Sequence, residues 1–233
     1  MLSTQALLPC LKKGSYRHSI NHVSKRTVYE TGGNSFSTSP LLECFASCDG
    51  CELPTSFQII EVTDALSIQR IRNFRVQVWT EEGHLSQSDI NRVLLDEHDE
   101  NARHWVVQIE GELIAAARLS LCSSILEAPE RDMLIPFELF IPTPFGYLSR
   151  LVVRSDFRGK GIAKQLTCLR MQEAYKSGTK AVTAVPVTWW VEPLINLGFV
   201  DLGEAPVSLL DSPLLLHVMV HRLETSKTQS WLT

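Results

Sequence analysis

The run Arg158-Gly159-Lys160-Gly161-Ile162-Ala163 constrains the fold more than any other part of the 233-residue sequence. Ahead of it, residues 147–153 (Tyr-Leu-Ser-Arg-Leu-Val-Val) have the apolar, β-branched character of a strand. Behind it, residues 161–176 place Ile162, Leu166 and Leu169 on one stripe and Cys168, Met171 and Tyr175 on the next, a helical spacing that stops at Gly178. Residues 180–187 are again strand-like. Strand, loop, helix and strand make a βαβ unit; such crossovers are right-handed, which sets the helix start beside the end of the first strand. Glycines there remove Cβ atoms where a ligand must approach the backbone, and the free N–H groups of a helix N-terminus bind phosphate oxygens. Between residues 150 and 164, five cations (Arg150, Arg154, Arg158, Lys160, Lys164) against one acid, Asp156, leave +4. The predicted ligand is a diphosphate, although the run has neither P-loop spacing nor the long dinucleotide fingerprint.

Charge argues the same way. The chain carries 22 Lys+Arg and 26 Asp+Glu, a formal −4, which excludes a protein that works by coating nucleic acid. Residues 1–50 hold five basic and three acidic residues, leaving 17 against 23 elsewhere. The basic patch therefore stands inside an acidic body. No uncharged apolar run approaches the roughly 18 residues needed to cross a bilayer, so no membrane span is expected. Six cysteines spread over this length do not make a disulfide scaffold, and a reducing, cytoplasmic setting is expected.

Residues 1–55 are Ser/Thr-rich and basic without sustained periodicity, and read as a disordered extension or an organelle-targeting segment. A single domain is predicted over residues 56–224, followed by a short tail, 225–233. Within the domain, residues 57–62 alternate like a strand, and Thr63 or Asp64 can cap a helix carrying Ile68, Ile71, Phe74 and Val78. Residues 86–95 suggest a second helix, followed by the acidic run 96–100, read as a solvated loop. Residues 105–109 and 113–121 are strands joined by the hairpin signal Glu110-Gly111-Glu112. Four prolines make 123–146 an irregular excursion; residues 189–196 suggest a short helix and 214–223 a last strand.

The string Tyr-Leu-Ser-Arg-Leu-Val-Val-Arg-Ser-Asp-Phe-Arg-Gly-Lys-Gly-Ile-Ala resembles the acyl-CoA-binding motif of the GNAT superfamily of N-acetyltransferases, Arg/Gln-x-x-Gly-x-Gly/Ala, through Arg158, Gly161 and Ala163. Leu197-Gly198-Phe199 is similar to the Leu-Gly-Phe that closes a later helix of that family. Arg75-x-x-Val78-Trp79 with Asp96-Glu97-His98-Asp99 is similar to a segment of one branch that also resembles acyl-homoserine-lactone synthases. The resemblance implies an α/β (α+β) GNAT fold, a mixed central sheet of six to seven strands with helices on both faces. It implies acetyl-CoA or another acyl-CoA as co-substrate, a small-molecule or protein amine as acceptor, and no metal. A homodimer is left open. By the same resemblance, the backbone of Leu151, Val152 and Val153 would pair with the pantetheine arm, and Arg158, Gly159, Lys160, Gly161, Ile162 and Ala163 would hold the diphosphate.

The catalytic positions depart from the family. Tyr147 stands where many members carry a basic Glu, and Leu194 where many carry an acidic Tyr. Tyr147 and Glu138 are the catalytic candidates, with Glu127 and His104 as further bases and Trp189 and Trp190 as pocket walls. Acetyl transfer is the leading expectation; transfer of a longer acyl chain and CoA binding without turnover are the alternatives. Cys44-x-x-x-Cys48-x-x-Cys51 has the spacing of a cluster site, but the large barrel that such a cluster serves does not fit in this length. His217 and His221, four residues apart on a strand, would be roughly 13 Å apart, too far to share one ion.

Overall fold

The computed structural model describes residues 57–206 and 214–223, with the strand 28–29. The cysteines at 44, 48 and 51, the rest of the extension and the tail 225–233 lie outside the described residues. Eight strands form one sheet: β1 (Val28–Tyr29), β2 (Gln58–Val62), β3 (Arg103–Ile109), β4 (Glu112–Cys122), β5 (Phe145–Val153), β6 (Ala181–Ala184), β7 (Val200–Glu204) and β8 (His217–Arg222). Their order is β1-β2-β3-β4-β5-β6-β8-β7. Every neighbouring pair is antiparallel except β5 with β6. Among the described residues five α-helices accompany them: α1 (Ala65–Glu81), α2 (Gln87–Leu94), α3 (Arg131–Leu134), α4 (Ile162–Lys176) and α5 (Val191–Ile195). Apart from the two-residue β1, which falls in the stretch read as an extension, this is the expected mixed sheet.

The helix starts follow from local chemistry. Asp64 caps α1 by accepting from Ser67 N at 2.9 Å. Ser86 and Asp89 form a reciprocal capping box on α2. α1 buries Ile71, Phe74 and Val78 against Ile60, Val106, Ala116 and Val152. α4 buries Leu166, Leu169 and Met171 in the cluster that holds Trp105, Val107, Leu119 and Leu148. Alternating residues of β3 (Val106 against Trp105 and Val107) thus feed two different cores, which places the two helices on opposite faces. At Gly146 a Cβ would sit 2.7 Å from Ala174 Cβ, so only glycine lets α4 pack this close to β5.

Several expectations shift. β6 is four residues long rather than reaching Val187, because residues 185–188 turn away with the β8 side of the sheet. The edge strand β7 (Val-Asp-Leu-Gly-Glu) is unanticipated: none of its residues is buried, so it shows no burial pattern. The excursion before β5 contains α3 and short 3-10 turns, and it covers one face of the sheet with Ile125, Leu134 and Ile141 against Phe145, Tyr147 and Val218. Tyr175, placed on an apolar stripe, is 40% exposed.

Candidate active site

The site exists because β5 and β6 part. They pair in parallel only from Phe145↔Ala181 to Leu148↔Ala184. On the β6 side, His217 N donates to Pro186 O at 3.0 Å and Thr188 N to Leu215 O at 3.1 Å, which holds residues 186–188 against the strand beyond. On the β5 side there is a bulge: Ala116 pairs with Val152 and Arg118 with Ser149, so Arg150 and Leu151 stand opposite Ala117 alone. Arg150 takes φ +52°, a left-handed conformation that costs a non-glycine residue roughly 1–2 kcal/mol. Past Leu148, β5 therefore keeps its ladder to β4 and leaves its other flank open.

Arg170 of α4 secures the bulge. Its side chain is buried without a carboxylate partner; Nη1 donates to Arg118 O at 3.0 Å and Ser149 O at 3.3 Å, and Nε to Leu166 O at 3.0 Å. Burial pushes its guanidinium down to about 9. The carbonyls of Arg118 and Ser149, which it serves, flank the interrupted ladder.

The gap opens into a cleft of about 1150 Å³. One wall is β5 through Leu151, Val152 and Val153, with Arg158, Gly159, Gly161, Ile162 and Ala163 at the start of α4; Val185, Pro186 and Trp190 face them. Gly159 and Gly161 have φ of +72° and +76°, so both turns need glycine. Gly161 is the N-cap of α4 and offers no side chain, which leaves the first-turn amides for an outside acceptor. An extended edge, an anion-binding helix start and a cleft of this size fit an acyl-CoA.

The cationic patch is less available than its sequence count implies. Arg150 is held by Asp96 and Glu130, Arg154 by Asp156 and Glu112, and Arg158 by Glu82 while its Nε donates to Val153 O. Lys160 Nζ lies 4.6 Å from the Phe157 ring centroid, and Lys160 itself stands outside the cleft wall. A phosphate at this helix start would thus meet mainly backbone amides.

The acidic run 96–100 is not a solvated loop. Asp99 is fully buried and receives Arg72 Nε at 3.1 Å, Arg75 Nη1 at 2.9 Å and Arg118 Nη1 at 3.0 Å. Asp96 receives Arg118 Nη1 at 2.9 Å and Arg150 Nη2 at 2.8 Å. Burial alone would raise both carboxyls, but the surrounding guanidinium charges hold them below the usual carboxylate range. The network ties α1, β4 and the Arg150 bulge together beneath the cleft. His104, a candidate base, is locked into it, with Nε2 on Asp99 O at 2.9 Å and no place in the cleft wall.

Burial, then the charge of Arg75, pushes His104 down to about 4 from 6.5. Keeping it neutral therefore adds stability that is complete above pH 6.5 and lost as pH falls from 6.5 through 4, up to roughly 3 kcal/mol. Urea unfolding at pH 7 and pH 4.5 should show this slope in the protein and a shallower one in His104→Asn.

The two catalytic candidates are not brought together at the cleft. Glu138 is exposed on the 3-10 turn Ile135–Phe140, which anchors through Phe137 and turns Glu138 outward. Glu127, also exposed, accepts Ser123 N at 2.7 Å. Tyr147 is buried outside the large cleft, its phenol pushed well up by burial and then by Glu130, so it stays neutral. It lines a cavity of about 50 Å³ at the vertex of the β5/β6 gap, with Glu130, Met133, Leu148, Ser149, Arg150 and Val185. Glu130 belongs to both spaces. Nothing in the sequence marks it, since it is one of four acids (Glu127, Glu130, Asp132, Glu138) in a proline-rich excursion. Trp189, 61% exposed, lies at the rim against His84, and Trp190 lines the wall.

The model of the Acetyltransferase (GNAT) family matches residues 68–196. A search of curated proteins finds no match. Among solved structures, a putative N-acetyltransferase from Lactobacillus plantarum aligns over 73% of this chain and 100% of its own, with TM-score 0.53 and 14% identity. Escherichia coli ElaA aligns over 72% and 100%, with 0.52 and 15%. BjaI, a CoA-dependent acyl-homoserine lactone synthase with MTA, aligns over 70% and 78%, with 0.52 and 18%. At these identities the likeness is one of fold. Among the described residues no helix is long and apolar enough to cross a membrane, and no group of His, Cys, Asp or Glu could hold a metal ion.

Proposed function

Because this chain belongs to the GNAT acetyltransferase family, we propose that it is an acyl-CoA-dependent N-acyltransferase that moves an acetyl group to an amine of a small molecule or protein. The observation that carries the reading is the open flank of β5 ending at the glycine-shaped start of α4. Acyl-CoA bound there supplies an acyl group activated as a thioester. The backbone of Leu151 to Val153 offers strand-like pairing to the amides of the pantetheine arm, and the amides of Gly159 to Ala163 offer donors to the diphosphate, with Lys164 of the cleft wall adding charge. Val185, Pro186 and Trp190 close the opposite side and exclude water from the thioester.

Calorimetric titration of the intact protein with acetyl-CoA and with CoA tests this. Saturable binding of both is expected, and no binding of either would overturn the reading. The same titration with octanoyl and palmitoyl donors reads the acyl length accepted. A CoA-binding module without turnover is the competing reading, favoured by the absence of any tyrosine among the described cleft-lining residues. Thiol release over a panel of amines separates the two.

A further inference from the structure

We propose that Glu130 is the base that takes the proton of the acceptor amine; this rests on the N-acyltransferase reading above. The Glu130 side chain is 7% exposed, and its Oε1 pairs with Arg150 Nη1 at 2.9 Å. Its Oε2 is buried and receives no hydrogen bond of ordinary geometry, with the Tyr147 phenol as the protein donor beside the same carboxylate. A buried carboxylate oxygen without a close donor is costly, and this one borders open space from which a donor can enter. The meeting place is defined. Glu130 is shared between the acyl-CoA cleft and the 50 Å³ cavity where β5 and β6 separate, a space able to hold one or two waters. An ammonium arriving at that vertex finds Oε2 directly or through one water.

The neighbours suit this assignment. Arg150 and Tyr147 of β5 flank the carboxylate, and Arg118 Nη2 of β4 lies 3.9 Å away. Tyr147 stays neutral and serves as a positioning residue beside the carboxylate. The other acids of the cleft are engaged or remote: Asp96 holds Arg118 and Arg150, Glu82 holds Arg158, and Glu97 is exposed at the rim. Glu130 thus supplies, from the proline-rich excursion, the carboxylate that the strand lacks at Tyr147.

The proton count closes. The acceptor nitrogen sheds one proton to Glu130 and, as the C–N bond forms and the C–S bond breaks, a second to the departing thiolate sulfur. Glu130 returns its proton to solvent when the amide leaves.

The test is thiol release from acetyl-CoA by the wild type and Glu130→Gln, with alkylamines and with hydroxylamine. Alkylamines are protonated at neutral pH and need the base, whereas hydroxylamine is already a free nucleophile. Glu130→Gln is expected to lose kcat by about 100-fold or more with alkylamines, to spare the hydroxylamine reaction, and to bind acetyl-CoA as the wild type does by calorimetry. Equal losses with both nucleophiles, no loss, or a wild type that binds acetyl-CoA yet turns over no amine would each overturn the assignment. Failure of the wild type to bind acetyl-CoA would instead overturn the functional reading. Should Glu130→Gln not fold, Glu130→Asp, which withdraws the carboxylate by one methylene, is expected to show the same split with a smaller loss.

Discussion

Gly161→Glu is expected to weaken acetyl-CoA binding by about 100-fold or more, from charge repulsion of a few kcal/mol at 1.4 kcal/mol per tenfold, while backbone strain of roughly 1–2 kcal/mol lowers its stability. Gly161 sits at φ +76° as the N-cap of α4, a conformation that a side chain resists. The new carboxylate would also accept from the amides that the phosphates need and repel the phosphates themselves. Calorimetry checks it, with Gly111→Ala as the control. Gly111 has φ +83° on the β3–β4 hairpin and open space around it, so that variant carries the strain without touching the cleft. It should lose stability and keep full affinity. Equal affinity of Gly161→Glu and the wild type would mean that the start of α4 does not hold the diphosphate.

Asp99→Ala should cost about 3–5 kcal/mol of folding stability, the usual result of leaving buried charge uncompensated, and lower Tm by on the order of 10 °C. Three arginines converge on this one carboxylate, and the network has no slack: Arg75 Nε and Arg118 Nη2 are already buried without hydrogen bonds. The neighbouring exposed Glu100→Ala should stay within about 0.5 kcal/mol. Chemical unfolding of the two variants decides it, and similar stabilities would show that the network is not what braces α1 against β4. The cost is not confined to the network, because Arg118 and Arg150 also belong to the strand bulge that opens the cleft.

What the sequence discloses and what it hides divide along range of interaction. The helices α1 and α2 were legible because Asp64 and Ser86 act on amides three residues away. The βαβ unit was legible for the same reason, since Gly159, Gly161 and the apolar spacing of α4 are local. Asp96 and Asp99 were misread as solvated because their partners Arg72, Arg75, Arg118 and Arg150 are scattered over three other elements. The opening of the sheet was hidden too: its turning point is Arg150 at positive φ, where a glycine would have announced itself. Glu130 has no local signature at all. It gains meaning only when the excursion folds back over Tyr147.

The parting of β5 and β6 has a bearing on solubility. A strand with one unpaired flank is normally found at the border of a sheet, where it invites pairing with other chains and seeds aggregation. Here the unpaired flank lies in the interior of the sheet, with β6, β8 and β7 beyond it. Another folded protein's sheet cannot reach it; a single thin, extended molecule can. The fold thereby leaves an adhesive backbone surface open to an extended small molecule while withholding it from other copies of the chain.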